Sequence, residues 1–117
     1  MTIENETINS LSVVKLGGHV DTLNAAELEG SLLALAESGT KQVLVDCTNL
    51  EYINSAGLRV FLLVAKRMES HGGHCAFCGL SPNVKLVFET IGFDRILTVH
   101  DTREAALALM RPVSAAA

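Results

Sequence analysis

The residues with the clearest chemical potential lie in Val45–Val60, VDCTNLEYINSAGLRV. A short apolar strand opens this stretch and a polar turn follows. Asn54-Ser55-Ala56-Gly57 then leads into an amphipathic helix, with Leu58, Phe61, Leu62, Ala65 and Met68 at helical spacing. The Ser55 hydroxyl is thereby expected at or beside the first helical turn, where backbone N–H groups lack partners and the helix dipole favours negative charge. Two roles suit a hydroxyl in that place. It can cap the helix, or it can accept a phosphate that the fold tolerates and a partner senses. By composition and spacing alone, capping is the commoner role.

Other chemistry fits less well. The residues around Ser55 are not G-x-S-x-G, and His100 is the only later histidine at a plausible strand end; one histidine makes no triad. His71, His74, Cys75 and Cys78 include a C-x-x-C, but a zinc site needs four convergent ligands. Cys75 and Cys78 fall on an expected strand, where their odd separation turns them to opposite faces, so buried thiols and no metal are expected. A thioredoxin-type pair would have to open a helix. The glycines at 17, 18, 72 and 73 are too sparse for a phosphate-binding loop. Asp21 and Asp46 are expected as solvated loop acids. No cofactor and no enzymatic activity are expected.

The elements that must position Ser55 belong to one domain, 1–117, since 117 residues suit a single core. Apolar residues make up 49 % of the chain, with four Phe, one Tyr and no Trp, so the core is expected to be aliphatic. A formal net charge of −4 argues against non-specific nucleic-acid binding, which needs clustered cations. No apolar run approaches the roughly 20 residues that span a bilayer. The start MTIENET lacks the basic and apolar regions of a secretory signal, and three cysteines then read as reduced thiols, giving an expected cytoplasmic location. Without a coiled-coil heptad, a monomer is expected when the protein is free.

In chain order, Thr2–Asn9 reads as a weak edge strand and Leu11–Leu16 as a better one, stopped by Gly17-Gly18. His19–Leu23 is a loop. Asn24 is an expected N-cap with Glu27 at the capping-box position, ahead of a helix with Ala25, Leu28, Leu32 and Leu35 inward that ends near Ser38-Gly39. Gln42–Asp46 is an apolar run without alternation, as in a strand buried on both faces. The helix after Gly57 stops at His71-Gly72-Gly73. Cys75–Leu80 is a strand, Ser81-Pro82 starts a helix with Val84, Val87, Phe88 and Ile91 inward, and Gly92 ends it. Arg95–Val99 is the last strand. Asp101 caps a final helix, with Glu104 at the box position and Ala105, Leu109 and Ala106 inward, and Pro112–Ala117 is expected to fray. The order β-β-α-β-α-β-α-β-α predicts an α/β domain: a mostly parallel sheet of four to five strands, one antiparallel pairing at the start, and about four helices.

VDCTNLEYINSAGLRV resembles the signature of the STAS-domain family, in particular the bacterial anti-sigma-factor antagonists. In that signature a hydrophobic strand and polar turn precede Asp-Ser-Ser/Ala-Gly-Leu and a helix. Gly18-His19-Val20-Asp21 with Asn24-Ala25 resembles the family's first turn and helix start, and Gly72–Leu97 resembles its Gly-Gly, strand, S-P-x-V helix and closing segment. The resemblance covers nearly the whole chain and implies a small binding protein in a partner-switching circuit. The serine matching Ser55 is phosphorylated by an anti-sigma factor that is also an ATP-dependent serine kinase, and a PP2C-type phosphatase reverses this. The unmodified form captures the kinase; the phosphorylated form releases it. The implied partner-binding surface comprises Asp21, Thr22, Asn24, Asn54, Ser55, Ala56, Gly57 and Arg59. Asn54 departs from the family's usual Asp. The alternative that the family offers is an unphosphorylated scaffold or a subunit of a larger regulatory or transport complex.

Overall fold

A computed structural model describes residues 1–8 and 10–110. The elements run β1 (Thr2–Ile8), β2 (Leu11–Val20), α1 (Ala25–Glu37), β3 (Gln42–Ile53), α2 (Ser55–Ser70), β4 (His74–Cys78), α3 (Pro82–Ile91), α4 (Phe93–Ile96), β5 (Thr98–His100) and α5 (Arg103–Leu109). The sheet order is β1-β2-β3-β4-β5, with β1 antiparallel to β2 and all other neighbours parallel. The expected α/β architecture with its antiparallel start is therefore present, with α4 as an extra single turn. The frayed Pro112–Ala117 tail and Asn9 lie outside the described residues.

Crossovers of one hand that always step to the next strand place their helices on one face of a sheet. The larger core lies on that face. Alternate strand residues Val43, Val45, Cys47, Cys75 and Phe77 meet Leu28, Leu32, Phe61, Val64, Met68, Val84 and Phe88 from α1, α2 and α3. All four phenylalanines join there: Phe61 lies 4.6 Å from Phe77, and Phe88 touches Phe61, Phe77 and Phe93 edge-on. The opposite face carries a thinner layer, in which Ala106 and Met110 cover Leu11, Val13, Leu44, Ala76 and Cys78. The Val43–Cys47 run is buried on both faces, as its lack of alternation predicts.

Several boundaries differ from the sequence expectations. Gly17-Gly18 does not stop β2. A Cβ on Gly17 would lie 2.7 Å from the Thr2 hydroxyl and Gly18 takes φ +83°, so both glycines let the strand pass close to the N-terminal segment and run on to Val20, with two register shifts against β3. The expected polar turn after Asp46 is likewise strand: Gly17 pairs Asn49, His19 pairs Tyr52 and Val20 pairs Ile53, with Leu50 and Ile53 buried. The shifts break the period of two, which hides this half of β3 from a pattern search. Arg95 and Ile96 are helical, and β5 is only Thr98–His100. The final helix is capped by Thr102, whose Oγ1 accepts from Ala105 N at 3.0 Å, while Asp101 is exposed. Its buried residue is Ala106, with Met110 buried just past its end and Ala105 and Leu109 outward. In α1 the inward set is Ala25, Leu28, Leu32 and Ala36, with Leu35 half-buried; in α3, Ile91 is exposed.

Candidate functional site

The site forms where β2 and β3 deliver their last residues. Asn54 N–H donates to the Val20 carbonyl at 3.1 Å, so the chain leaving β3 is pinned to the end of β2 before α2 begins. Asn54 is the N-cap of α2: its Oδ1 accepts from Ala56 N at 3.0 Å and Gly57 N at 3.3 Å. Its Nδ2 donates to Thr22 Oγ1 at 3.2 Å, which ties the loop after β2 to the start of α2. An aspartate would cap equally well but could not donate to that hydroxyl.

The loop itself is closed by its own side chains. Asp21 Oδ1 accepts from Leu23 N at 2.9 Å. Asn24 occupies the N-cap position of α1 without capping it, a correction to the capping-box expectation. Its Oδ1 accepts from Asp21 N at 2.9 Å and its Nδ2 donates to the His19 carbonyl at 2.9 Å, so the residue braces the turn. Leu23, at the crest of this loop, is 95 % exposed, and sequence reasoning passed over it; its place beside Asp21 and Asn24 was the available signal.

Ser55 is the first residue of α2, exposed, and its hydroxyl makes no hydrogen bond to the described residues. The capping role weighed for Ser55 thus belongs to its neighbour. Arg59 is also exposed, one helical turn along on the same side, and forms no ion pair among the described residues. Ala56 is half-buried. Gly57 is buried, and a Cβ there would lie 2.6 Å from both Ile53 and Val20 side chains. Its missing side chain lets the first turn of α2 seat on β2 and β3. Asp21, Thr22, Asn24, Asn54, Ser55, Ala56 and Gly57 are accordingly contiguous around one junction, with Arg59 on its helical flank.

The other candidates are separated from this junction. His100 lies on β5, with β4 between it and β3, so it cannot serve Ser55 as a base. Cys75 and Cys78 face opposite cores, as expected, and burial pushes both thiols up to about 12. Thiols that stay protonated at neutral pH are poor nucleophiles. His71 ends α2 with its ring 3.3 Å from the Ala36 carbonyl, while His74 opens β4. Among the described residues no group of three metal-ligating side chains converges, and no helix is long and apolar enough to cross a membrane.

Asp46 is the clearest departure from expectation. It lies in β3, as the Gln42–Asp46 run predicts, but is buried there rather than being a solvated acid. Its Oδ1 accepts from Thr48 N–H at 3.0 Å and from the Thr48 hydroxyl at 2.6 Å, and its Oδ2 accepts from Arg103 Nε at 3.0 Å. Burial pushes the carboxyl up, but the Thr48 bonds and Arg103 outweigh burial and hold it below the ordinary value of 3.8. Arg103 also donates to Glu6 at 2.7 Å, so one guanidinium joins α5 to β3 and β1. The signal was an acid inside an apolar run.

The STAS domain model matches residues 2–106. The chain belongs to the STAS-domain family. A candidate anti-sigma factor antagonist of Bordetella bronchiseptica, BtrV, is 40 % identical over 111 residues, 95 % of this chain and 96 % of that protein. Among solved structures, a candidate anti-sigma factor antagonist from Thermotoga maritima superposes with a TM-score of 0.84 at 20 % identity, covering 89 % of this chain and 90 % of the other. The Bacillus cell-fate determinant SpoIIAA in its phosphorylated form superposes at 0.72 with 19 % identity, covering 90 % and 96 %. At those identities the likeness is one of fold, and this STAS domain shares the mixed sheet on which the Ser55 junction is built.

Proposed function

We propose that this STAS domain is an anti-sigma-factor antagonist whose unmodified form binds an anti-sigma factor that is also a serine kinase. Phosphorylation at Ser55 ends the binding, and a PP2C-type phosphatase restores it. The observation that carries this reading is the state of Ser55: an exposed hydroxyl at the head of a 16-residue helix, left without a hydrogen bond to the described residues while Asn54 does the capping. The relative named as a candidate anti-sigma factor antagonist, matched over nearly its full length, supports the same circuit. The phosphorylated form recorded for SpoIIAA supports the modification.

The physics is compatible with a switch. A phosphoryl group brings about −1.5 to −2 charges. The helix start favours that charge, and Arg59 one turn along favours it further, so the fold survives. Because Asn54 already occupies the Ala56 and Gly57 N–H groups, the phosphate extends outward into the surface a partner must cover. There it meets desolvation and repels acidic groups, and affinity falls. Asp21, Thr22, Asn24, Asn54, Ala56 and Arg59 form the proposed contact surface, with Gly57 setting its height from beneath. The ATP belongs to the kinase.

Intact-mass spectrometry of the protein from its own cells tests this, with site mapping and Ser55→Ala as control. The expected result is an increase of roughly 80 Da on Ser55, absent in the variant. Absence of that increase under every growth condition, and with a co-encoded kinase and ATP, overturns the switch.

A further inference from the structure

Away from the Ser55 junction the sheet has one long open edge. The seven residues of β1 pair with β2 on one side only, and all are exposed or half-buried. The other edge, β5, has three residues. Alternate backbone N–H and C=O groups of an edge strand point outward and can pair with another extended chain.

The two faces beside β1 differ in chemistry. On the α1 side Ile3 packs against the larger core, and with Val14, Leu32 and Leu35 it lines a groove of about 320 Å³ whose polar rim includes Asn5 and Ser31. On the α5 side stand Glu4 and Glu6. Arg103 holds Glu6 through Oε1, and Lys15 lies opposite Glu4 in register without an ion pair between them. Both cations sit inward of β1, on β2 and α5, so the outermost charges along this edge are acidic.

That charge pattern decides the occupant. A second copy related by a two-fold axis, pairing antiparallel and centred on Asn5, would set Glu4 against Glu6 twice. Centring on Glu4 or Glu6 sets that glutamate against its own copy, and centring on Ile3 or Thr7 leaves only Thr2–Glu4 or Glu6–Ile8 of β1 in the overlap. Like charges directly opposite are destabilising. We infer that the β1 edge adds an extended segment of a partner protein in which basic residues alternate with apolar ones. The basic side chains lie over Glu4 and Glu6 and the apolar side chains enter the groove beside Ile3. Backbone pairing supplies affinity, and the alternation supplies selectivity. This surface is distinct from the Ser55 junction and does not rest on the switch.

Titration of the ¹⁵N-labelled full chain with a terminally blocked seven-residue peptide of alternating Lys and Val, matched to the length of β1, tests the inference. Amide shifts are expected within Thr2–Ile8 and along the Ser31–Ser38 wall of the groove. The peptide with Glu in place of Lys is expected to bind about ten-fold more weakly, and Glu4→Lys is expected to remove that preference. Equal affinity for the two peptides, shifts confined to Asp21–Asn24 and Asn54–Arg59, or no shifts at millimolar peptide would each overturn it. So would a dimer of the peptide-free protein in sedimentation with slowed amide exchange within Thr2–Ile8, since the edge would then belong to a second copy.

Discussion

Two polar clusters adjoin strand β3, one at its end and one at its middle, and they use their hydrogen-bonding groups differently. At the middle, Asp46, Thr48, Arg103 and Glu6 satisfy one another across three elements, with Asp46 only 6 % exposed. At the end, Asp21, Thr22, Asn24 and Asn54 brace the loop and tie it to the start of α2, and leave the Ser55 hydroxyl open to solvent. Residue type does not separate a structural cluster from a candidate site here, since both contain aspartate and threonine. Exposure and unoccupied hydrogen-bonding capacity do.

Substitutions across the two clusters sharpen that contrast. The largest effect is expected at Asp46→Ala, which leaves Arg103 beside a desolvated hole. A loss of about 2–4 kcal/mol is expected by chemical denaturation, below the full cost of breaking a buried pair because Arg103 keeps some contact with water. The pH dependence has a definite sign. Because the folded carboxyl titrates below its ordinary value of 3.8, its contribution is complete above that pH and fades as pH falls through the depressed folded value. The stability gap between the native protein and Asp46→Asn is therefore expected to be constant near neutrality and to shrink as pH falls below 3.8. A gap that widened on acidification would contradict the ion pair.

Gly57→Ala comes next. The new methyl would overlap Ile53 and Val20 at 2.6 Å, and about 1–3 kcal/mol of destabilisation is expected, measured as a lower denaturation midpoint. A smaller loss of about 1 kcal/mol is expected for Asn54→Ala, through loss of the cap and of the bond to Thr22. Hydrogen exchange should quicken in the first turn of α2, and unchanged exchange there would mean that another group holds the helix start. The smallest effect is expected at Ser55→Ala, within about 0.5 kcal/mol, because no bond is lost. A substantial destabilisation of that variant would return Ser55 to the structural cluster and end the comparison.

Much of the fold was legible because its signals are local. Ser81-Pro82 starts α3 as its residue types demand, with Ser81 Oγ accepting from Val84 N, and Gly92 ends it in the left-handed conformation with φ +80°. Ser55 at the head of α2 followed from the spacing of Leu58, Phe61, Ala65 and Met68. The second half of β3 was illegible because two register shifts in β2 remove its period, and the Arg103 link was illegible because its partners are 57 and 97 residues away.

What the sequence determined by itself was most of the elements and the place of Ser55 among them, since apolar spacing, capping residues and turn glycines act within a few residues of one another. What only the tertiary structure decided was which neighbour would cap α2, that Asn54 would also reach Thr22, and that Asp46 would be buried. Each of those depends on groups far apart in the chain being brought within hydrogen-bonding distance. That proximity is created by pairing β2 with β3 and by folding α5 back over the sheet.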